Sequence, residues 1–182
     1  MKTEHTYSAF TGDKHLLTGS LLQVALALKN QADDSAAVLI FNDQTGQQID
    51  VNISGSETEI QQRYAAPEAA KKVGRPKLGV ISREITLQQK HWDWLDLQSA
   101  SASAVIRKLI DKELNNPASE SNIMLAKQAA DRFMSAMLGN MPNYEEAVRA
   151  LYQGRKDTFL ALIQGYPQDL KEYLVLKTQG LF

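Results

Sequence analysis

The strongest constraint on this chain is a short strand with no adjacent partner. Val80-Ile81-Ser82-Arg83-Glu84-Ile85-Thr86-Leu87 is β-branched and alternating, with Ile81, Ile85 and Leu87 on one face and Ser82, Glu84 and Thr86 on the other. The polar run Gln88-Gln89-Lys90-His91 follows, and then Trp92, Trp94, Leu95 and Leu97 on a predicted helix of about ten residues. Ser99-Ala100-Ser101-Ala102-Ser103 interrupts that pattern. Ser101 can cap a second predicted helix, Ala102–Leu114, whose Val105, Ile106, Leu109 and Ile110 form one apolar stripe. A lone strand leaves a row of backbone donors and acceptors unpaired. The economical solution is a two-fold homodimer, in which the strand pairs antiparallel with its twin and four helices cover one face. The polar face of the resulting ribbon points outward, and a two-stranded ribbon fits the major groove of B-DNA.

Ile85-Thr86-Leu87, then Trp92 and Leu95, then Ser101-Ala102-Ser103-Ala104-Val105-Ile106 fall in one consistent register, and residues 80–114 resemble the ribbon-helix-helix DNA-binding family. That resemblance implies that Ser82, Glu84 and Thr86 face the bases. It implies that Ser101 and Ser103, with the amides at the start of the second helix, hold phosphate. It also implies a dimer core of Ile85, Leu87, Trp92, Leu95, Ile106, Leu109 and Ile110. Glu84 departs from the family, which usually offers a neutral or basic side chain there. Phosphates repel a carboxylate, but a carboxylate can accept from cytosine N4. Two readings stay open: Glu84 reads a C·G pair flanked by Arg83 and Arg75, or the ribbon serves dimerisation alone.

Charge is segregated, although the net charge is −1. Residues 1–70 carry 4 Lys/Arg and 9 Asp/Glu, residues 71–117 carry 9 and 5, and residues 118–182 carry 7 and 7. Lys71, Lys72, Arg75, Lys77, Arg83 and Lys90 stand against Glu84 alone in the window 71–90. Such a segment can attract phosphate within a neutral protein, or it can be a solvated linker. Within it, Gly74-Arg75-Pro76-Lys77 resembles the Gly-Arg-Pro core of AT-hook arms, which track the minor groove, though Val73 stands where those arms carry arginine. Lys71, Lys72, Arg75, Lys77 and Arg83 are therefore candidate phosphate or arm contacts.

The rest of the chain reads as α+β, with four parts: a small α+β domain over 1–65, a basic linker over 66–79, the ribbon-helix-helix over 80–116 and a helical subdomain over 117–182. In the first part, Tyr7–Phe10 predicts a short strand, and Ser20 caps a helix over Leu21–Leu28. Ala37–Phe41 and Ile49–Ile53 predict a hairpin about the turn formers Asn42-Asp43-Gln44-Thr45-Gly46, and Glu57–Tyr64 a closing helix. In the last part, helical periodicity over Asn122–Leu138, Tyr144–Gln153, 156–164 and 168–177 is broken by Gly139–Pro142, Gly154 and Gly165-Tyr166-Pro167, with Asn143 as a cap. Met134, Met137 and Met141 suit a core filler. The whole chain resembles the bacterial family known as domain of unknown function 2239, through Gly74–Leu95, Arg132–Met137 and Tyr144–Ala147. That implies a bacterial origin and supplies no activity.

His5, His15 and His91 show no metal-ligand spacing, and there is no cysteine. A nucleophile elbow, a phosphate loop and a dinucleotide fingerprint are absent from the sequence. Asp93 and Asp96 read as a solvated helix face. The N-terminus is polar, and no run approaches the roughly 18 apolar residues of a membrane span. The expectation is a cytoplasmic, nucleoid-associated protein without catalytic residues, cofactor or membrane partner. Its partners would be double-stranded DNA and its own copy, with room for a protein or small molecule on the N- or C-terminal part. The alternative class is an antitoxin-like interaction module, in which the ribbon dimerises and the helical region holds a partner.

Overall fold

A computed structural model describes residues 5–30, 37–65 and 79–182. Two strands open the fold, β1 (Tyr7–Thr11) and β2 (Lys14–Gly19), joined at Gly12, whose φ of +52° suits glycine. β3 (Val38–Asn42) and β4 (Gln48–Ile49) form the expected hairpin, although its second strand is two residues long. All pairings are antiparallel, in the order β2-β1-β3-β4. β2 is the strand that the periodicity of the sequence did not indicate.

Period-two alternation sorts the sheet's side chains onto two buried faces. Ala9 and Ile40 point to one face, where Val24 and Leu28 of α1 (Leu21–Asn30) complete a small cluster. Ser20 caps α1 as expected: its hydroxyl accepts from the Gln23 amide, and Gln23 Oε1 accepts from the Ser20 amide. α2 (Glu57–Tyr64) packs on α1 and starts in a full capping box between Ser56 and Glu59.

The opposite face carries Phe10 and Phe41, and it is covered by the C-terminal helices. These are α5 (Glu120–Leu138), α6 (Tyr144–Tyr152), α7 (Lys156–Leu162) and α8 (Gln168–Lys177). Phe133 of α5 lies 5.3 Å from Phe10 and 5.1 Å from Phe41 between ring centroids, and Tyr173 of α8 lies 4.4 Å from Phe133. Tilted and edge-on pairs of this kind contribute about 0.5–1.5 kcal/mol each beyond their buried area. Met134 is fully buried in the same core, with Met137 and Met141 against it. Asn143 makes no side-chain cap on α6; it takes the left-handed conformation, at φ 63°, that asparagine tolerates.

The two outer segments, read from sequence as separate domains, are thus one unit, 1–65 with 118–182. The reason is physical. Phe10 and Phe41 leave a sheet face that residues 5–65 cannot bury alone. Residues 66–117 make up the second unit, so the first is discontinuous in sequence.

Candidate nucleic-acid interface

In the second unit, residues 79–117 are described. They contain two helices, α3 (Gln89–Asp96) and α4 (Ala102–Leu114), which pack on each other. The Gln88 amide donates to His91 Nδ1 at 3.3 Å, so the histidine fastens the start of α3. Gln89 Nε2 donates to Asp93 Oδ1 across one turn, and Gln98 Nε2 closes the helix on the Trp94 carbonyl. α4 begins at Ser101 and ends where Asn115 Nδ2 donates to the Asp111 carbonyl.

Among these described residues one side chain, Leu95, is buried. Leu87 and Ile106 are half-buried. The other expected core positions stand open, with Ile85, Leu109 and Ile110 each 51% exposed and Trp92 37%. Val80, Ile81, Leu97 and Leu114 are exposed as well.

Residues 79–88 form no β-ladder, which corrects the strand expected over 80–87 for a single chain. A β-ladder needs two strands, and no described strand of the chain pairs with this segment. Ser82, Arg83, Glu84 and Thr86 are all exposed on this segment, immediately before α3. Ser101 and Ser103 are exposed at the start of α4, and Ser101 makes no side-chain cap hydrogen bond. Its hydroxyl and the first-turn amides thus offer donors at the positive end of the helix. Lys71, Lys72, Arg75 and Lys77 lie outside the described residues. Residues 79–117 alone balance five Lys/Arg with five Asp/Glu, so the basic excess belongs to that preceding segment.

A second constellation, in the first unit, went unread in the sequence. Asp43 sits in the β3–β4 turn, its side chain 2% exposed. Its Oδ1 accepts from Ser8 Oγ at 2.8 Å and Tyr173 Oη at 2.7 Å, and Lys177 Nζ stands 3.2 Å away. Its Oδ2 is buried as well. Burial pushes the Asp43 pKa up. The Thr6, Tyr173 and Ser8 hydroxyls and the Lys177 charge outweigh that, so the net shift is downward and the carboxylate stays ionised. Burial and the Asp43 charge push the Tyr173 hydroxyl far above its ordinary value. In the sequence Asp43 reads as one turn former among Asn42-Asp43-Gln44-Thr45-Gly46. No spacing signals that Ser8, Tyr173 and Lys177 meet there, because the contacts span up to 130 positions.

Among the described residues no group of three or more His, Asp or Glu could hold a metal ion, and no helix is long and apolar enough to cross a membrane. A family model described as an uncharacterized protein conserved in bacteria, domain of unknown function 2239, matches residues 6–177. No curated protein and no solved structure matches the chain.

Proposed function

The chain belongs to this bacterial family, and from its own residues we propose that it is a dimeric, sequence-specific DNA-binding protein, regulatory and non-enzymatic, that works at the nucleoid in the cytoplasm. One observation carries the reading: residues 79–117 bury a single side chain while Ile85, Trp92, Leu109 and Ile110 stay open to solvent. The second unit spans 52 residues, a size at which a core this small among its described residues leaves folding marginal. A second copy supplies what is missing. Pairing residues 80–87 with their twin satisfies the backbone of both strands and brings Ile85, Leu87, Trp92, Leu95, Ile106, Leu109 and Ile110 of each copy into one core.

That ribbon presents Ser82, Glu84 and Thr86 outward, in the manner of the ribbon-helix-helix proteins that residues 80–114 resemble. Ser101, Ser103 and the first amides of α4 hold the flanking phosphates. Arg83 and the preceding Lys71, Lys72, Arg75 and Lys77 supply the electrostatic attraction that the rest of the chain lacks. Glu84 favours a second reading, because a carboxylate on the groove face opposes phosphate. In that reading the ribbon dimerises the protein, and the helices of 118–182 hold a protein partner.

Sedimentation of the full chain with and without a mixed-sequence duplex tests the proposal. A dimer that co-sediments with duplex supports it. A dimer that ignores DNA leaves the second reading, and a monomer at micromolar concentration overturns both.

A further inference from the structure

α7 and α8, joined through Gly165-Tyr166-Pro167, leave a groove of about 780 Å³ that DNA binding does not use. Leu160 and Ile163 line it from the α7 side, Val175 and Leu176 from α8, and Phe182 from beyond α8. Val175 is 45% exposed, Leu176 66% and Phe182 38%. Large apolar side chains left open along one groove form a patch of the kind that marks a binding surface.

The charges at its ends show what covers it. The Phe182 ring lies 5.6 Å from Phe159, so the residues after α8 return to the first turn of α7. Lys156 therefore stands at the Phe182 end of the groove, and Lys171, in the first turn of α8, toward the other. Each lysine precedes an apolar wall residue by one helical turn, Lys156 before Leu160 and Lys171 before Val175. Neither ammonium has an acceptor among the described residues, although Lys171 is half-buried. Elsewhere in this unit Lys177 pairs with Asp43, and Lys127 donates to the Tyr152 carbonyl. Glu172 also reaches the groove wall, but its carboxylate accepts from Gln168 Nε2 one turn earlier.

An apolar floor with an unpaired cation at each end is complementary to an apolar ligand with acidic groups on both sides. A fatty acid would meet one lysine and leave the other bare. Lys171 and Thr178 of the wall are seven residues apart, about 10 Å along α8, which matches two turns of a helix laid in the groove. An amphipathic helix docks this way, through apolar anchors one turn apart. We propose that the α7–α8 groove binds an acidic amphipathic helix of a protein partner. Its apolar side chains lie between Leu160 and Val175, and its carboxylates meet Lys156 and Lys171. The binding does not depend on how residues 80–87 are used, and it gives the partner of the second reading a place and a chemistry.

Fluorescence anisotropy tests this on the full chain without DNA. The probe is a labelled, end-blocked helical peptide, four turns long, with leucines on one face and glutamates at both ends of that face. Saturable binding is expected, and Val175→Glu should weaken it at least tenfold. Lys156→Glu with Lys171→Glu should weaken it at least tenfold as well, and should confer binding of the twin peptide that carries lysine for glutamate. Circular dichroism should be unchanged in both variants, since these side chains are exposed or half-buried. Absence of saturable binding, equal binding of the lysine peptide by the parent chain, or failure of the charge swap would each overturn the proposal. Dodecanoate that binds more tightly than the peptide and displaces it would overturn it in favour of a small amphiphile. A change of oligomeric state in Val175→Glu would give the groove to a second copy and overturn it too. Peptide binding undiminished by Val175→Glu would overturn the groove while leaving a partner held elsewhere on 118–182. DNA binding keeps its own test, since no duplex is present.

Discussion

Gly46, at φ +66°, lies so close to Ala129 of α5 that a β-carbon on it would stand 2.0 Å from the Ala129 carbonyl oxygen. The β3–β4 turn is pressed onto helix backbone there, and Arg132 Nη1 donates to the Thr45 carbonyl at 2.7 Å beside it. Gly46→Ala meets both a left-handed backbone and an immovable neighbour, and a loss of about 2–4 kcal/mol is expected. Gly12→Ala is the control, because Gly12 shares the positive φ but has open space around it. Its expected cost is about 1–2 kcal/mol, from the backbone alone. Urea unfolding followed by far-ultraviolet circular dichroism measures both.

The Asp43 network sets an acid limit. Its pKa is lowered in the folded protein from an ordinary value of 3.8, so the folded state favours the ionised form. The stability it contributes is fully present above that ordinary value and is lost as pH falls below 3.8 through the lower folded value. Asp43→Asn should flatten this limb of the stability–pH curve. Tyr173→Phe removes one donor to the carboxylate and should cost about 1–3 kcal/mol at neutral pH.

Tyr152 sets a limit at the other end. Its hydroxyl donates to Asp131 Oδ2 at 2.9 Å, and burial together with that carboxylate raises its pKa from 10.0 to about 12. Here the folded state favours the protonated form. The contribution is complete below pH 10.0 and disappears as pH rises toward about 12. Stability measured across that window should decline less steeply in Tyr152→Phe than in the parent chain.

Local elements were largely legible in the sequence because their signals are local. Ser20 with Gln23 starts α1 and Ser56 with Glu59 starts α2, while glycines and prolines separate α5 to α8. The shared core was not legible. Nothing within residues 5–65 announces that Phe10 and Phe41 require Phe133 and Tyr173, since the contacts join distant segments. For the same reason a fragment ending at residue 65 should fail to fold, as a near-random-coil circular dichroism spectrum would report. Alternation over 80–87 predicts a strand, whereas the segment forms no β-ladder in the single chain. Asp43 was hidden by its setting, a turn former among turn formers.

The helix pair can be watched separately from the rest. Trp92 and Trp94 are the chain's two tryptophans, both in the second unit, and the chain has no cysteine. If the unit closes against its twin, tryptophan emission should shift to the red on dilution, with a midpoint that depends on protein concentration. Circular dichroism from the first unit should persist. Ile110→Lys should produce the red-shifted emission at every concentration. Emission independent of concentration in the parent chain, together with a monomeric size, would show that the unit closes alone.

Titration of a fluorescently labelled duplex, followed by anisotropy at 50 and 200 mM salt, probes the ribbon and its basic arm together. Affinity is expected to fall about 10³-fold between the two salts if six or more phosphates are contacted. Thr86→Ala should cost about 1–3 kcal/mol on a preferred sequence and little on others. Arg75→Ala with Lys77→Ala should weaken binding on every sequence and flatten the salt dependence. Binding absent at micromolar protein, or insensitive to both salt and Thr86, would contradict DNA recognition by residues 80–87.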